Sequence, residues 1–284
     1  MVDFKLRVAT DRLREQIQPV VAFCHLFAYH LRHKHFYVRR SFLLDNELTA
    51  GTNTEQSSPI AKENLFWRLY ATCYDTISKL DPYQELLRDI AHRLEIKKSD
   101  AVFDAGCGTG NLEPLIGGSG ASVIAVDFSE AMLARAKKKY GYLADFRLLD
   151  LSKPLPFEGH SFDIIACCNT LYTLPDPKLT ISEFSRISKS DGRLVIATPI
   201  NRPSPLAILK DHVKKRGAIS ILPLVFPLIL VGIFNQFIVS NKKYHFFTPE
   251  ELRNLLEDNG FHVSSIDPTY AKQDLLAVCA KKGG

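Results

Sequence analysis

The feature that most constrains the fold of this chain is the segment AVFDAGCGTGNL, residues 101–112. Its first residues are apolar, favour a β-strand and end in Asp104, after which a turn with three glycines leads into a predicted helix. Glycine adopts positive φ angles and allows a ligand to approach the backbone closely, so Gly106, Gly108 and Gly110 can shape a binding loop. A strand, a glycine-rich turn and a helix in this order predict a nucleotide-cofactor loop in an α/β sheet.

The loop suits one kind of nucleotide cofactor better than another. A dinucleotide fingerprint has the spacing GxGxxG and places a pyrophosphate at the start of the helix. Here Asn111 stands where the last glycine of that pattern would be, and Asp104 lies two residues before the first glycine. A carboxylate close to a pyrophosphate would repel it, whereas the same carboxylate suits a cationic cofactor that has no phosphates.

Helices and strands alternate along the chain from residue 61 onward. Strands are predicted at residues 101–104, 122–126, 146–149, 164–168, 193–198, 261–266 and 275–280. Helices are predicted at about 62–79, 82–94, 112–116, 130–138, 178–187 and 249–259. Such alternation predicts an α/β fold with a mostly parallel, seven-stranded sheet and helices on both faces.

Two further acids end the next predicted strands. The segment VIAVDFSEAML places Asp127 where its carboxylate can accept hydrogen bonds from two ribose hydroxyls, and Ser129 can cap the helix that follows. Asp150 ends the third predicted strand. Ligands of such sheets bind at the carboxyl ends of the strands, so we expect these acids to lie near the glycine loop.

Together these segments resemble the motifs of class I S-adenosylmethionine-dependent methyltransferases, especially those of the type 11 group that act on quinones and lipids. The motifs are DAGCGTG, VIAVDFSEAML and FRLLDLSKPLPFEGHSFDIIACCNTLYTLPDP, and FTPEELRNLLEDNGF near the end of the chain is also typical of these enzymes. The resemblance covers about residues 62–282 apart from an insertion. It implies a Rossmann-like fold and S-adenosylmethionine as the cofactor.

The resemblance also implies roles for individual residues. Asp104 is expected to orient the loop and the amino end of the cofactor, Asp127 to bind the ribose, and Asp150 to bind the adenine amino group. No metal site is expected. The expected cofactor-binding residues are Tyr74, Asp104, Gly106, Cys107, Gly108, Gly110, Asp127, Phe128, Met132, Asp150, Leu151 and Asn169.

Methyl transfer depends largely on aligning the acceptor with the methyl group, and a base is needed only if the acceptor must lose a proton. The expected catalytic residues are His245, Tyr172 and Tyr74, with Tyr244 a further candidate. Tyr74 lies in a segment, CYDTI, that resembles the helix closing over the cofactor in quinone-type methyltransferases. A lone histidine is more often structural than catalytic, and Cys167–Cys168 is interpreted as strand core.

A second conspicuous feature is an uncharged stretch of 25 residues, 217–241, between the basic segments 214–216 and 242–243. It is long enough to cross a bilayer as a helix. A single crossing is excluded if the strands before and after it pair in one sheet. Pro223, Pro227 and Asn235–Gln236 are expected to interrupt an apolar helix there. Two interpretations remain, a lid buried over an apolar substrate and an element that dips into the membrane.

The first part of the chain is predicted to be a separate extension. Residues 1–58 contain an amphipathic helix at about 20–34 and a polar linker, and residues 59–284 form the catalytic domain with the insertion at 201–247. The basic end of that helix suits either an interfacial anchor or a surface helix packed on the domain. Its basic residues are His30, Arg32, His33, Lys34, His35, Arg39 and Arg40.

The sequence thus predicts a peripheral-membrane methyltransferase with a lipophilic acceptor, such as a prenyl quinone or a phospholipid headgroup, bound to an anionic membrane surface. C-, O- and N-methylation all fit. A soluble enzyme for polyketide- or terpenoid-type molecules and a catalytically silent membrane scaffold are the alternatives. Nucleic acid is not favoured as a substrate, since the chain has no Asn-Pro-Pro-Tyr motif. The absence of a signal-peptide pattern and of paired cysteine spacings predicts a cytoplasmic, non-secreted protein.

Overall fold

The computed structural model describes residues 65–200, 203–240 and 244–283. The predicted helix at 20–34, its basic end and the linker lie outside the described residues, as do Lys242 and Lys243. The division of the chain at residues 58–59 therefore stays a prediction. The remaining predicted elements can be compared directly with the structure.

The centre of the structure is one seven-stranded sheet with the strand order β3-β2-β1-β4-β5-β7-β6. The first five strands are parallel, whereas β7 is antiparallel to both β5 and β6. The predicted mostly parallel, seven-stranded sheet is therefore confirmed. The strands are β1 (Ala101–Ala105), β2 (Ser122–Asp127), β3 (Asp145–Leu148), β4 (Phe162–Cys168), β5 (Ser188–Pro199), β6 (Phe261–Thr269) and β7 (Asp274–Lys281).

Helices cover both faces of this sheet. In chain order they are α1 (Leu65–Tyr74), α2 (Asp81–Leu94), α3 (Glu113–Ile116), α4 (Glu130–Tyr140), α5 (Pro177–Ile187), α6 (Pro205–Arg216), α7 (Val225–Ser240) and α8 (Pro249–Asp258). Short 3-10 helices lie at Ile77–Lys79, Gly117–Ser119, Leu171–Thr173 and Ala218–Leu224. The predicted cap of α4 is confirmed, because the side chain of Ser129 accepts a hydrogen bond from the backbone of Met132.

Alternate residues of each strand point to opposite faces, and this produces two apolar cores. On one face Val102 and Ile164 belong to the same cluster as Leu86 and Ile90 of α2. On the other face Phe103 belongs to a cluster that includes residues of α5 and α8. Fully burying one such side chain stabilises the fold by roughly 1.5–3 kcal/mol, so the two layers hold the sheet and its strand ends rigidly in place.

The first predicted helix, at 62–79, is too long. Its described part ends at Tyr74, and a turn at Asp75–Thr76 separates it from the 3-10 helix Ile77–Lys79. The reason is a tertiary contact: the Asp75 carboxylate accepts hydrogen bonds from Thr109 Oγ1 and from Lys139 Nζ, which hold the chain at the turn.

The insertion folds as α6, a 3-10 helix and α7. Pro223 lies inside the 3-10 helix and Pro227 in the first turn of α7, where a proline is tolerated. The expectation that Asn235–Gln236 interrupt the helix is wrong, since α7 continues through both. Asn235 is held there because its Oδ1 accepts a hydrogen bond from the buried hydroxyl of Tyr70 in α1, at 2.9 Å.

Among the described residues, one helical segment is long and apolar enough to span a membrane by length and composition. It is Ala218–Ile238, with a mean hydropathy of 2.3. A single crossing is nevertheless incompatible with the topology. Ile200 and Phe247, on either side of the insertion, form a parallel bridge, and β7 pairs with β5 along its length. The chain therefore leaves the sheet and returns to it at the same edge.

Candidate functional site

A cavity lies at the carboxyl edge of the parallel strands. The glycine loop after β1, the end of β2, the loop after β3 and the end of β4 contribute residues to it, and so do α1, α6 and α7. Because β7 is antiparallel, it begins at this edge, and its first residue, Asp274, lies opposite Pro199 at the end of β5. The site thus has two ends, one at the glycine loop and one beneath the insertion.

The glycine loop is built from positive φ angles, at 84° for Gly106, 56° for Gly108 and 80° for Gly110. Gly106 and Gly108 line the cavity, whereas Gly110 lies against Ala136 and Tyr140. A Cβ at Gly106 would stand 2.1 Å from Thr170 Oγ1, so no larger residue fits there without rearrangement. A Cβ at Gly108 would meet only Tyr74, at 3.7 Å, which leaves room for a ligand against the backbone.

Asp127 is fixed at the same end of the cavity by two backbone donors. The N–H of Gly108 donates to Oδ2 and the N–H of Ser129 donates to Oδ1, both at 2.9 Å. The next residue, Phe128, lines the cavity too, and its ring meets that of Trp67 edge-on. Met132 of α4 completes this wall. A carboxylate locked in this way can accept further hydrogen bonds without first losing its own freedom.

Asp150 and Leu151 line the adjoining wall. Asp150 Oδ1 accepts hydrogen bonds from the backbone and the hydroxyl of Ser152, and Lys153 pairs with Oδ2 at 3.4 Å. Burial raises the pKa of Asp150, but the bonds from Ser152 and the charge of Lys153 outweigh it and hold that pKa below its ordinary value. Asp150 is therefore ionised at neutral pH.

Three of the expected cofactor-binding residues do not line the cavity, namely Asp104, Cys107 and Gly110. Asp104 is buried, and neither of its carboxylate oxygens has a hydrogen-bond partner among the described residues. Burial and then the neighbouring Glu113 raise the pKa of Asp104 well above its ordinary value. Asp104 and Glu113 are thus two neighbouring buried acids behind the glycine loop, and the raised pKa favours the protonated, neutral form of Asp104.

The other end of the cavity is aromatic. Tyr70, Tyr74, Tyr172 and Tyr270 line it, and the Tyr74 and Tyr83 hydroxyls lie 3.3 Å apart. Tyr74 also faces Gly108, so it adjoins both ends of the cavity. Burial raises the pKa of each of these tyrosines, so all of them carry their proton at neutral pH. None of them can act as a base for a substrate, and the Tyr70 hydroxyl already donates to Asn235 Oδ1.

The predicted catalytic residues are brought together only in part. Tyr74 and Tyr172 line the cavity, whereas His245 is not among its lining residues. The backbone N–H of His245 donates to the carbonyl of Tyr172 at 2.8 Å, which ties the return of the insertion to the end of β4. The ring of Tyr244 lies tilted against that of Tyr172, with the ring centres 6.1 Å apart.

Sequence reasoning missed Trp67, Tyr70, Asn235, Tyr270 and Asp274, all of which line the cavity. Asp274 is 2% exposed, and its Oδ2 accepts a hydrogen bond from Asn169 Nδ2 at 2.9 Å. Asn169 itself lines the cavity with a positive φ of 51°, and its Oδ1 has no partner among the described residues. In the sequence, the acid at the start of the last strand indicates a candidate site residue. It reaches the carboxyl edge of the parallel strands only because β7 is antiparallel to β5.

Known proteins with similar sequences are methyltransferases. A family model described as a methyltransferase domain matches residues 80–266. The ubiquinone biosynthesis O-methyltransferase of Hahella chejuensis is 30% identical over 156 residues, which are 53% of this chain and 65% of that relative, so the match spans less than two thirds of the relative's length. The demethylmenaquinone methyltransferase of Staphylococcus aureus (strain JH9) is 25% identical over 66% of this chain and 80% of its own length.

Solved structures share the fold. A chain in the complex of the Haloferax volcanii Trm112 methyltransferase activator with a methyltransferase gives a TM-score of 0.56 at 18% identity, over 76% of this chain and 97% of that one. An S-adenosylmethionine-dependent methyltransferase from Mesorhizobium loti gives 0.51 at 19% identity, over 68% and 96%. At such identities the likeness establishes the architecture alone.

Proposed function

Since this chain belongs to the methyltransferase-domain family and is an S-adenosylmethionine-dependent methyltransferase, we propose that its methyl acceptor is a lipophilic molecule of the prenyl-quinone kind, taken from a membrane surface. The observation that carries the proposal is that the insertion has one face on the cavity and another exposed to solvent. The insertion contributes to the cavity wall and also exposes large apolar side chains to solvent.

Residues at the glycine-loop end would hold the cofactor. Asp127 would accept hydrogen bonds from the ribose hydroxyls, Asp150 and Leu151 would face the adenine, and Gly106 and Gly108 would lie against the methionyl part. The bound cofactor supplies a methyl group on a positively charged sulfur. The fit rests on the open backbone at Gly108 and on the Asp127 carboxylate, which two backbone N–H groups hold at the cavity wall.

Residues at the aromatic end would orient the acceptor and exclude water. Four neutral tyrosines give apolar ring faces, and the hydroxyls other than that of Tyr70, which donates to Asn235, can donate to the oxygen substituents of a quinol ring. Gly232, Asn235, Gln236 and Ile238 of α7 complete the wall above them. A lipophilic tail attached to such a ring would extend along the apolar insertion, which supports an acceptor with a prenyl or acyl chain.

The outer face of the insertion supports membrane contact. Ile219, Leu222, Phe226 and Phe237 are 81%, 68%, 71% and 41% exposed, and only 11% of the apolar stretch is buried. A helix from a soluble core would bury most of such a surface, since each 100 Å² of apolar area left in water costs about 2.5 kcal/mol. Lys214, at the end of α6, precedes this surface in the chain and would meet anionic headgroups at about 1 kcal/mol, whereas Lys215 and Arg216 beside it are paired with acids.

The orientation follows from the same charges. Anionic lipids face the cytoplasm, so we propose that the enzyme is a cytoplasmic protein held peripherally on that face of the membrane. The two relatives named for ubiquinone biosynthesis and demethylmenaquinone support an acceptor that resides in membranes. The name of one of them specifies an O-methyltransferase.

The first experiment incubates the enzyme and radiolabelled S-adenosylmethionine with a total lipid extract and separates the products by chromatography. The proposal predicts label in a quinone-containing, organic-phase product. Label only in a water-soluble acceptor supplied in parallel would instead favour the soluble small-molecule enzyme. Label in no product would contradict a lipid acceptor and exclude the water-soluble compound supplied.

The second experiment tests membrane contact by flotation with anionic and neutral vesicles. Leu222→Glu with Phe226→Glu should leave the protein in the soluble fraction on vesicles that retain the wild type. Tyr142→Glu is the matched control, because Tyr142 is 82% exposed but lies outside the insertion. Membrane contact through the insertion is wrong if the control and the double variant float equally, or if the wild type does not float.

A further inference from the structure

Asp274 occupies an unusual place in the cavity. It is the first residue of β7, lies opposite Pro199 of β5 and Thr269 of β6, and is 2% exposed. Asn169, which directly follows β4 and is separated from β7 by β5, donates from Nδ2 to Asp274 Oδ2 at 2.9 Å. Asn169 is fixed in turn, because its backbone N–H donates to the carbonyl of Ala197 at 2.8 Å. The carboxylate is therefore held rigidly at the edge of the sheet.

Three carboxylates line the cavity, and two of them are already engaged. Asp127 accepts two backbone hydrogen bonds, and Asp150 accepts those of Ser152 and pairs with Lys153. By contrast, the described residues give the side chain of Asp274 one hydrogen bond, from Asn169, which leaves Oδ1 available to a ligand. No lysine, arginine or histidine of the described residues lines the cavity to compete for it.

The groups that face Asp274 are neutral. Cys168 at the end of β4, Tyr172 in the 3-10 helix after it and Tyr270 in the turn before β7 all have a pKa that burial raises. With no cation beside it, burial raises the pKa of Asp274 to about 7, against the smaller opposing effect of the Asn169 bond. An acid of this strength can take up a proton near neutral pH far better than an ordinary carboxylate.

We propose that Asp274 is the catalytic base that accepts the proton of the methyl acceptor, and that Asn169 is the residue that positions it. The inference rests on the proposed function, in which the acceptor carries a hydroxyl or an acidic C–H. The acceptor's O–H or C–H bond breaks and its proton passes to Asp274 Oδ1. The electron pair left on the acceptor forms the new bond to the methyl carbon while the carbon–sulfur bond breaks and its pair stays on sulfur. The negative carboxylate and the positive sulfur both end neutral, and the proton leaves to water with the product.

The test compares wild type with Asp274→Asn on a demethylmenaquinol that has a short prenyl chain. We expect kcat to fall by at least about 100-fold, since a general base contributes 10²–10⁴-fold. The wild-type kcat/KM at saturating cofactor should rise with pH to a plateau with an apparent pKa at or below 7, because the cofactor's positive sulfur favours the ionised carboxylate. The residual activity of the variant should lack this dependence. Asp267→Asn, at a half-buried position on β6 that pairs with Arg93 outside the cavity, is the control and should leave both the rate and the pH profile unchanged.

Two further readouts separate this inference from loss of folding and from the proposed function. Calorimetric affinity for S-adenosylmethionine should be the same in Asp274→Asn and wild type, which verifies a folded cofactor site. Infrared difference spectra between the two cofactor-free proteins should contain a carboxyl band that titrates near pH 7. Its absence, or a variant that methylates the quinol at the wild-type rate with the wild-type pH profile, overturns the role of Asp274. Failure of the wild type to methylate any lipid contradicts the proposed function instead, and the infrared band then still decides whether Asp274 has the required proton affinity.

Discussion

The two ends of the cavity are built in different ways. At the glycine-loop end the key contacts are local, since Gly108, Asp127 and Ser129 are bonded within or between two neighbouring strands and their loops. At the aromatic end the wall combines residues far apart in the chain, such as Tyr70 and Asn235, which are separated by 165 positions. One end is a backbone cradle with fixed hydrogen bonds, and the other is a set of side chains supported by packing.

This difference indicates that the cofactor and the acceptor are bound by structurally separate parts of the fold. The cofactor is the same throughout the family, and a rigid cradle made of backbone groups suits a constant ligand. The acceptor varies between enzymes, and an insertion outside the sheet can change without disturbing the cradle. Substitutions at the two ends should therefore affect the two ligands separately.

The largest effect is expected from Gly106→Ala. A Cβ there would lie 2.1–2.7 Å from the Thr170 side chain, at a φ of 84° that disfavours any residue but glycine. Strain and overpacking together should cost about 3 kcal/mol of unfolding free energy, measured by denaturant titration. Gly118→Ala is the matched control, because nothing lies within 4 Å of its Cβ and no positive φ is involved. Equal loss of stability in the two variants would contradict the importance of the cradle.

A slightly smaller effect is expected from Asp127→Ala. The change removes the proposed acceptor for the ribose hydroxyls and leaves the N–H groups of Gly108 and Ser129 without their carboxylate. Two hydrogen bonds to a charged group are worth about 3 kcal/mol, so the Kd for S-adenosylmethionine should rise by about 100-fold in calorimetry. The KM for the lipid acceptor should change little. An unchanged cofactor affinity would refute the ribose assignment.

The smallest effect is expected from Asn235→Leu at the aromatic end. The buried hydroxyl of Tyr70 loses its acceptor, which costs about 1–2 kcal/mol. This should appear as a several-fold higher KM for the acceptor, with the cofactor Kd unchanged. The double variant Tyr70→Phe with Asn235→Leu should regain part of the loss, since no unpaired polar group then remains. A cofactor affinity that falls in parallel with the acceptor KM would show that the two ends are not independent.

The glycine-loop end could be predicted from the sequence because its determinants are close together in the chain. The spacing of the strand, the glycines and the acids at 127 and 150 is enough to predict their positions. In the structure Gly106, Gly108, Asp127 and Asp150 line one cavity. Asp104 and Cys107 were expected there too, but a residue that points away from the loop is indistinguishable in sequence from one that points towards it.

The aromatic end could not be predicted to the same degree, for physical reasons that individual residues illustrate. Asn235 looked like a helix breaker because its partner, Tyr70, is remote in sequence. Asp274 looked like an ordinary strand end because the direction of β7 is set by its pairing with β5 and β6. His245 was chosen for its chemistry, and the described structure uses its backbone to anchor the end of the insertion.

The contact between α1 and α7 also has a consequence for the order of folding. Phe66 and Tyr70 pack on Phe234 with ring centres 5.1 and 5.2 Å apart, so these rings close a loop of more than 150 residues. Such long-range closure is entropically costly before the intervening sheet has formed. We therefore expect α1 to dock onto α7 late, and to detach first when the protein opens locally. A partly opened enzyme would keep the hydrogen bonds from Gly108 and Ser129 to Asp127 but lose the cover of Trp67 and Tyr74, so both ends of the cavity would open and a bulky product could depart without unfolding of the sheet.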